Sequence, residues 1–379
     1  MVVIVQAAAA GAAAPATAMV VPGPAAAAGE WYAAPRVNAW GAGLVDAGTG
    51  VRLWSRDVNV ARPMGSITKV MTALIVLSAG DLSRKIKVTA GAIRYVHKRG
   101  ASSAGLIAGD VLTARQLLEA MLLPSGCDAA YLLASSYGPG RAAFVAKMNA
   151  TAKAMGLVST HFSWFDGMPY PTEHSTYSTP ADLIWLGQQA MRNPLFRRIV
   201  AQRRYQLAAT AWHHRYLWQT TNGLLGSYRG VLGIKTGNTN AAGNCFLFEA
   251  RRGRHTLIGV VLHVNPTSSP NALFDAARQL LNWGFHRTKP HGHSGEAAGN
   301  GTLIIPSAWP SGRRPKREAI RPSGADFEFI SSVRHAQATG VRPWGRPAPG
   351  PRPRLSRRSG QPPPLMVAVI CAWPLGSVW

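Results

Sequence analysis

Up to about residue 285 the apolar positions fall into two alternating textures, strand-like at the ends and helix-like in the middle. Trp40 to Ala47 is apolar or small, Gly48-Thr49-Gly50 offers a turn, and Val51 to Ser55 alternates on the way back. Two such runs about a glycine turn predict a β-hairpin over 39–56. A nearly unbroken apolar run follows Ser66, through Val70, Met71, Ala73, Leu74, Ile75, Val76 and Leu77. A helix apolar almost all round is a buried helix, and Gly80 stands where a C-cap glycine belongs. Thr113-Ala114-Arg115-Gln116 predicts a capping box that opens a helix stopped by Pro124. Further helices are predicted from about Asp128 to Ser136, from Arg141 to Met155, and from Thr179 to about Met191 with Pro180 at its first position.

Beyond Tyr228 the strand texture returns. Residues 230–236, 244–251 and 256–264 read as strands, the last two joined by Arg252-Gly253-Arg254. Leu273 to Trp283 then reads as an amphipathic helix. Strands at both ends with helices between predict an α/β fold. Its sheet is assembled from distant parts of the chain, flanked by helices, with a helical subdomain inserted.

The flanks differ from this body. Residues 1–29 hold no charged side chain and are rich in alanine, so they read as a signal-like or low-complexity segment. Residues 30–285 form the predicted folded domain, and residues 286–379, dominated by Pro, Arg, Gly and Ser, are predicted to be a disordered tail. Leu365 to Trp379 is apolar but short and broken by Pro374, so it offers no convincing transmembrane anchor. The formal charge is +25 over 379 residues. The segment 286–379 carries 14 Lys and Arg against 4 Asp and Glu. No basic stripe marks the rest, so nucleic acid is not expected as a partner, whereas the basic tail could meet anionic envelope polymers. Cys127, Cys245 and Cys371 show no metal or redox spacing; Cys127 and Cys245 could be bridged in principle, but each falls beside a motif, where a free thiol is more natural. No metal and no cofactor is predicted.

Three short strings carry chemistry: Ser66-Ile67-Thr68-Lys69, Ser125-Gly126-Cys127 and Lys235-Thr236-Gly237. A Ser-x-x-Lys string alone arises by chance about once in a chain of this length, and each string has a plain reading. Ser66 could be a helix N-cap and Lys69 a snorkelling lysine; Ser125-Gly126-Cys127 could be a turn; Lys235 could guard an edge strand. A P-loop is excluded, because Ile234 stands where that motif needs glycine. Their order is what points to an enzyme. Three residues apart on a helix, Ser66 and Lys69 share a face, and the apolar run around Lys69 argues against a surface role. A lysine base must lose its proton near neutrality, which takes roughly 4 kcal/mol of environment. Burial and a second amine, here Lys235, can supply that.

With these strings the chain resembles the serine D-alanyl-D-alanine carboxypeptidases, the low-molecular-mass penicillin-binding proteins, over about residues 38–285. Pro63 to Thr72, Met121 to Ala130, Phe144 to Asn149 and Gly233 to Thr239 carry the likeness. The resemblance implies a β-lactamase/transpeptidase-like fold and an exported enzyme, in the cell envelope or secreted. It implies that Ser66 attacks the terminal D-Ala-D-Ala bond of a peptidoglycan stem peptide, Lys69 takes its proton and Ser125 relays a proton to the leaving amine. Lys235 and Thr236 would hold the terminal carboxylate, the backbone N–H groups of Ser66 and Asn238 the oxyanion, and Cys127 and Gly237 would complete the substrate-binding set. β-Lactam antibiotics would acylate the same serine. Cys127 stands where most of the family has Asn, which bears on deacylation. DD-transpeptidation, a class A-like β-lactamase and a catalytically weak peptidoglycan-binding relative are the alternatives. The glutamate string of class A β-lactamases is absent from the sequence.

Overall fold

The computed structural model describes residues 33–265 and 271–288. The signal-like segment, the predicted tail from residue 289 on with its proposed anionic-polymer contacts, and Cys371 lie outside the described residues; the first two residues assigned to the tail, His286 and Arg287, instead belong to the last helix.

The predicted hairpin forms as β1 (Ala39–Asp46) and β2 (Arg52–Arg56), and Asp46 closes its turn by accepting the backbone N–H groups of Gly48 and Thr49. A short strand, β3 (Arg62–Pro63), leads to a 3-10 turn, Gly65–Thr68, and directly into α1 (Lys69–Ala79). Ser66 therefore sits in a tight turn ahead of the helix, not in its first regular turn. Next come β4 (Lys85–Lys87), α2 (Ala90–Arg99), β5 (Val111–Thr113) and α3 (Ala114–Leu122), the last opened by the full Thr113–Gln116 capping box. The insert continues through α4 (Cys127–Tyr137), α5 (Arg141–Ala154), β6 (Tyr177–Ser178), α6 (Pro180–Met191) and α7 (Pro194–Val200). A hairpin of β7 (Arg204–Leu207) and β8 (Tyr216–Gln219) precedes β9 (Val231–Thr239), β10 (Gly243–Arg252), β11 (His255–Val264) and α8 (Ala272–Arg287).

The main sheet is antiparallel, in the order β2-β1-β11-β10-β9. Its strands come from the two ends of the described chain, and α1 to α7 are inserted between them, as the strand–helix–strand texture predicts. Side-chain alternation divides the sheet's two faces. Phe246, Phe248 and Ala250 of β10 pack on one side with Ala277, Leu280 and Leu281 of α8. Cys245 and Leu247 point the other way, into the core built on α1, α3, α4 and α6. Each large apolar side chain fully buried there contributes roughly 2 kcal/mol. That core surrounds α1, whose Val70, Met71, Ala73 and Val76 are fully buried. The helix carrying Lys69 is thus clamped between the sheet and the rest of the insert, at the end of the edge strand β9.

Candidate active site

Ser66 is half-buried in the 3-10 turn, and Lys69 is the first residue of α1. The Nζ of Lys69 lies 2.7 Å from Ser66 Oγ and donates to the backbone carbonyl of Asp166 at 3.0 Å. Lys69 is fully buried, as the apolar run around it predicts. A neutral amine has two N–H donors and one lone pair. With one N–H committed to Asp166, the amine is held with its Nζ against the serine hydroxyl, where a neutral form would present its lone pair.

The edge strand β9 closes one side. Lys235 is 1% exposed despite its edge position, and its Nζ donates to its neighbour's carbonyl, that of Thr236. Burial first, and then the charge of Lys69, hold the Lys235 amine well below the usual ammonium range. The two amines thus feel each other, as their motifs predict. Gly237 and Asn238 press on the nucleophile turn: a Cβ built on Gly65 would lie 2.9 Å from the Asn238 backbone nitrogen. Thr236 Oγ1 pairs with Thr221 Oγ1 at 2.6 Å, and the Thr221 N–H donates to the Leu123 carbonyl at 3.1 Å. Asn238 Nδ2 donates to Asn244 Oδ1 at 2.7 Å.

The third string reaches the same lysine, through contact of the Cys127 thiol with the Lys69 amine. Ser125 is buried and has a φ of 66°, a left-handed backbone that serine rarely adopts. Its carbonyl accepts from Ser102 Oγ at 2.6 Å, while the Cys127 N–H donates to the Ser102 carbonyl at 2.8 Å. Asp128, fully buried, holds the adjoining segment by accepting from Ser103 Oγ at 2.7 Å and the Ala104 N–H at 3.0 Å. Cys127 Sγ is fully buried, 3.5 Å from Ser102 Oγ. Burial, then the charge of Asp166, pushes its thiol up to about 12, so it is a neutral thiol at physiological pH. Cys127 and Cys245 are both free, as expected.

All eight residues singled out in the sequence therefore lie on three segments around one centre. Two contributors were not foreseen. Asp166 offers its carbonyl to Lys69, while its fully buried carboxylate accepts from Tyr95 Oη at 2.8 Å and the Met168 N–H at 3.0 Å. Thr221 ties β9 to the end of α3, just before Ser125. Asp166-Gly167 is a turn signal in the sequence, but nothing in the string indicates that its carbonyl faces a lysine.

Known proteins share this arrangement of elements. The family model described as D-alanyl-D-alanine carboxypeptidase, peptidase S11, matches residues 29–266. A D-alanyl-D-alanine carboxypeptidase of Streptomyces sp. strain K15 is 40% identical over 66% of this chain and 88% of its own length. The carboxypeptidase DacB2 of Mycobacterium tuberculosis is 35% identical over 64% of this chain and 80% of its own. The crystal structure of the Streptomyces K15 DD-transpeptidase superposes with a TM-score of 0.63 at 40% identity, covering 66% of this chain and 98% of that one. With the family model spanning more than half of the chain and a 40% identical relative covered over most of its length, this chain belongs to the D-alanyl-D-alanine carboxypeptidase family of serine peptidases.

Proposed function

We propose that the protein is an exported DD-peptidase that cleaves the terminal D-Ala-D-Ala bond of peptidoglycan stem peptides through an acyl-enzyme on Ser66. The observation that carries this reading is the 2.7 Å approach of Lys69 Nζ to Ser66 Oγ inside a buried site that also holds the Lys235 amine. Peptidoglycan lies outside the cytoplasmic membrane, so the reading includes export.

The substrate's terminal carboxylate pairs with Lys235 and Thr236. An incoming anion favours the charged form of Lys235, and a charge there disfavours a second one on Lys69. Substrate binding thereby selects the state in which Lys69 is neutral. Ser66 Oγ attacks the carbonyl carbon of the penultimate D-alanine and its proton passes to Lys69 Nζ. The developing oxyanion sits between the N–H groups of Ser66 and Asn238, each donor worth about 3–4 kcal/mol in a comparable site. The carbon–nitrogen bond breaks as Ser125 passes a proton to the leaving D-alanine amine. Water or an acceptor amine then attacks the ester and restores Ser66, giving hydrolysis or transpeptidation. In this reading a β-lactam, with its ring amide in place of the scissile bond, acylates the same oxygen. Residues 30–285 would form the catalytic domain, with 1–29 as an export segment and 286–379 as an appendage.

Labelling with a fluorescent penicillin followed by peptide mapping tests the reading. The adduct is expected on the peptide containing Ser66 and is lost in Ser66→Ala. An adduct elsewhere, or none, overturns it.

A further inference from the structure

Away from this centre, positive charge gathers in one concave place. Later turns of α4, with Tyr131 and Ser135, form one wall of a groove whose other wall is β4; it encloses about 410 Å³. Arg84, Lys85, Lys87 and Arg141 line it, and no carboxylate does. Arg84 pairs with Asp81 at 2.9 Å. Among the described residues no carboxylate lies within ion-pair distance of the other three.

Lysines on a short edge strand have a plain explanation, since they discourage strand association. That explanation covers Lys85 and Lys87 but not the arginines, which are held in place. The Arg141 guanidinium lies 4.2 Å over the Tyr131 ring with Nη1 3.5 Å from Ser135 Oγ, and its Nε is buried without a partner. Arg84 Nη1 donates to the Ser136 carbonyl at 2.7 Å, and the guanidinium covers the Tyr137 ring at 4.6 Å. Fixed guanidiniums lose little entropy when an anion arrives. Lys85 Nζ lies 4.4 Å over the Trp212 ring, so aromatic faces and not carboxylates are what Lys85 and Arg141 meet; three like charges so placed repel one another modestly, and an anion between them relieves that.

We propose that this groove is a second binding site, for the phosphate groups of a polyanion such as a phosphodiester chain. Phosphate fits better than carboxylate, because the cations come from β4, from Arg84 just before it and from the start of α5, and so approach from more than one direction. A phosphate spreads its oxygens in three dimensions, whereas a carboxylate is planar and is satisfied by a single guanidinium. Ser135 lies eight residues past Cys127 on α4, about 12 Å along the helix axis. A chain held in the groove therefore leaves the Ser66 centre open, and the groove serves to tether the enzyme to a phosphate-bearing polymer. The site does not depend on the proposed chemistry at Ser66.

Lysine acetylation mapped by mass spectrometry on the full chain tests this site by site. Inorganic pyrophosphate is the probe, and citrate at equal ionic strength is the carboxylate comparator. Pyrophosphate is expected to slow acetylation of Lys85 and Lys87 at least threefold, with citrate ineffective. The protection should vanish in Arg141→Gln, and protection of Lys85 should weaken in Lys87→Gln, a second variant should the first not fold. Penicillin labelling of Ser66, read on the same samples, should stay within twofold of the parent. Equal protection by citrate overturns the phosphate assignment, and protection that survives both substitutions, or is absent from the parent, overturns the site.

Discussion

Gly237 lies so close to the nucleophile turn that no side chain fits between them. A Cβ on Gly237 would sit 2.5 Å from the Met64 carbonyl oxygen and 3.0 Å from the Ser66 nitrogen. Both contacts are to backbone, which cannot swing aside as a long side chain can. The edge strand and the turn are therefore set at a distance fixed by a missing methyl group. Gly237→Ala is expected to force them apart and to slow penicillin acylation by about 100-fold, the scale of a 1 Å misplacement. Stopped-flow acylation measures this; a change under threefold would show that the spacing is not critical.

The coupling of the two buried amines gives a second expectation. If the substrate carboxylate sets their charge state through Lys235, a peptide ending in D-Ala-D-Ala amide should lose turnover as well as affinity. The kcat is expected to fall at least tenfold against the free acid, and Lys69→Ala to cost about 10²–10⁴-fold in acylation, the range of a general base. Steady-state kinetics on the peptide pair decides the point: a pure KM effect would leave Lys235 as a binding group only.

What the sequence displays directly is residue type at short spacing. The Ser66–Lys69 pair, the Thr113–Gln116 box and the apolar runs of β10 and β11 all lie within a few residues; the box and the strands form as read, and Ser66 meets Lys69 from a 3-10 turn ahead of the helix. Asp166 was hidden because it stands 97 residues from Lys69 and acts through a carbonyl, a group every residue has. Helix α2 carries an apolar stripe, with Ala92 and Val96 buried and Ile93 and Tyr95 packed on the core, but no helix is predicted between α1 and the Thr113 box. Strands β4 and β5 have three residues each, shorter than any window in which alternation can be counted. Buried Lys235 was legible as a motif but not as the amine whose charge is suppressed, since burial is a property of the assembled core.

Asp166 is a positioning residue in this geometry. Its carboxylate fixes a loop through Tyr95 and Met168, and the loop's carbonyl orients Lys69. Asp166→Asn keeps an acceptor for Tyr95 and is expected to lower acylation about tenfold with little change in melting temperature. Asp166→Ala leaves the half-buried Tyr95 hydroxyl with less to bond and should cost a further ~1–3 kcal/mol of stability. If both variants lose stability but acylate at the parent rate, the loop supports the fold and not the lysine.

Cys127 tests the balance between hydrolysis and transfer. Its thiol stays neutral and donates and accepts only weakly. An amide at this position would bond more strongly to Ser102 and to Lys69, the base that both steps use. Cys127→Asn is expected to change the deacylation rate more than the acylation rate. Stopped-flow traces with equal changes in both steps would count against this.

Stability should also fall on the alkaline side, for a reason separate from catalysis. Burial pushes Glu119 up to about 7, and its hydrogen bond from Gln202 Nε2 offsets only part of that. A carboxyl group whose folded value is raised binds more protons folded than unfolded between about pH 4.5 and 7. Its contribution is therefore present below pH 4.5 and is lost as pH rises through about 7. The full loss is on the order of 3 kcal/mol. Glu249, also raised to about 7 by burial, acts in the same direction. Glu119→Gln keeps an acceptor for Gln202 and removes the charge. The variant should gain stability on the parent from pH 5 to pH 8, in thermal or urea unfolding followed across that range. Parallel pH profiles for the two proteins would mean that Glu119 is solvated as a carboxylate in the folded state.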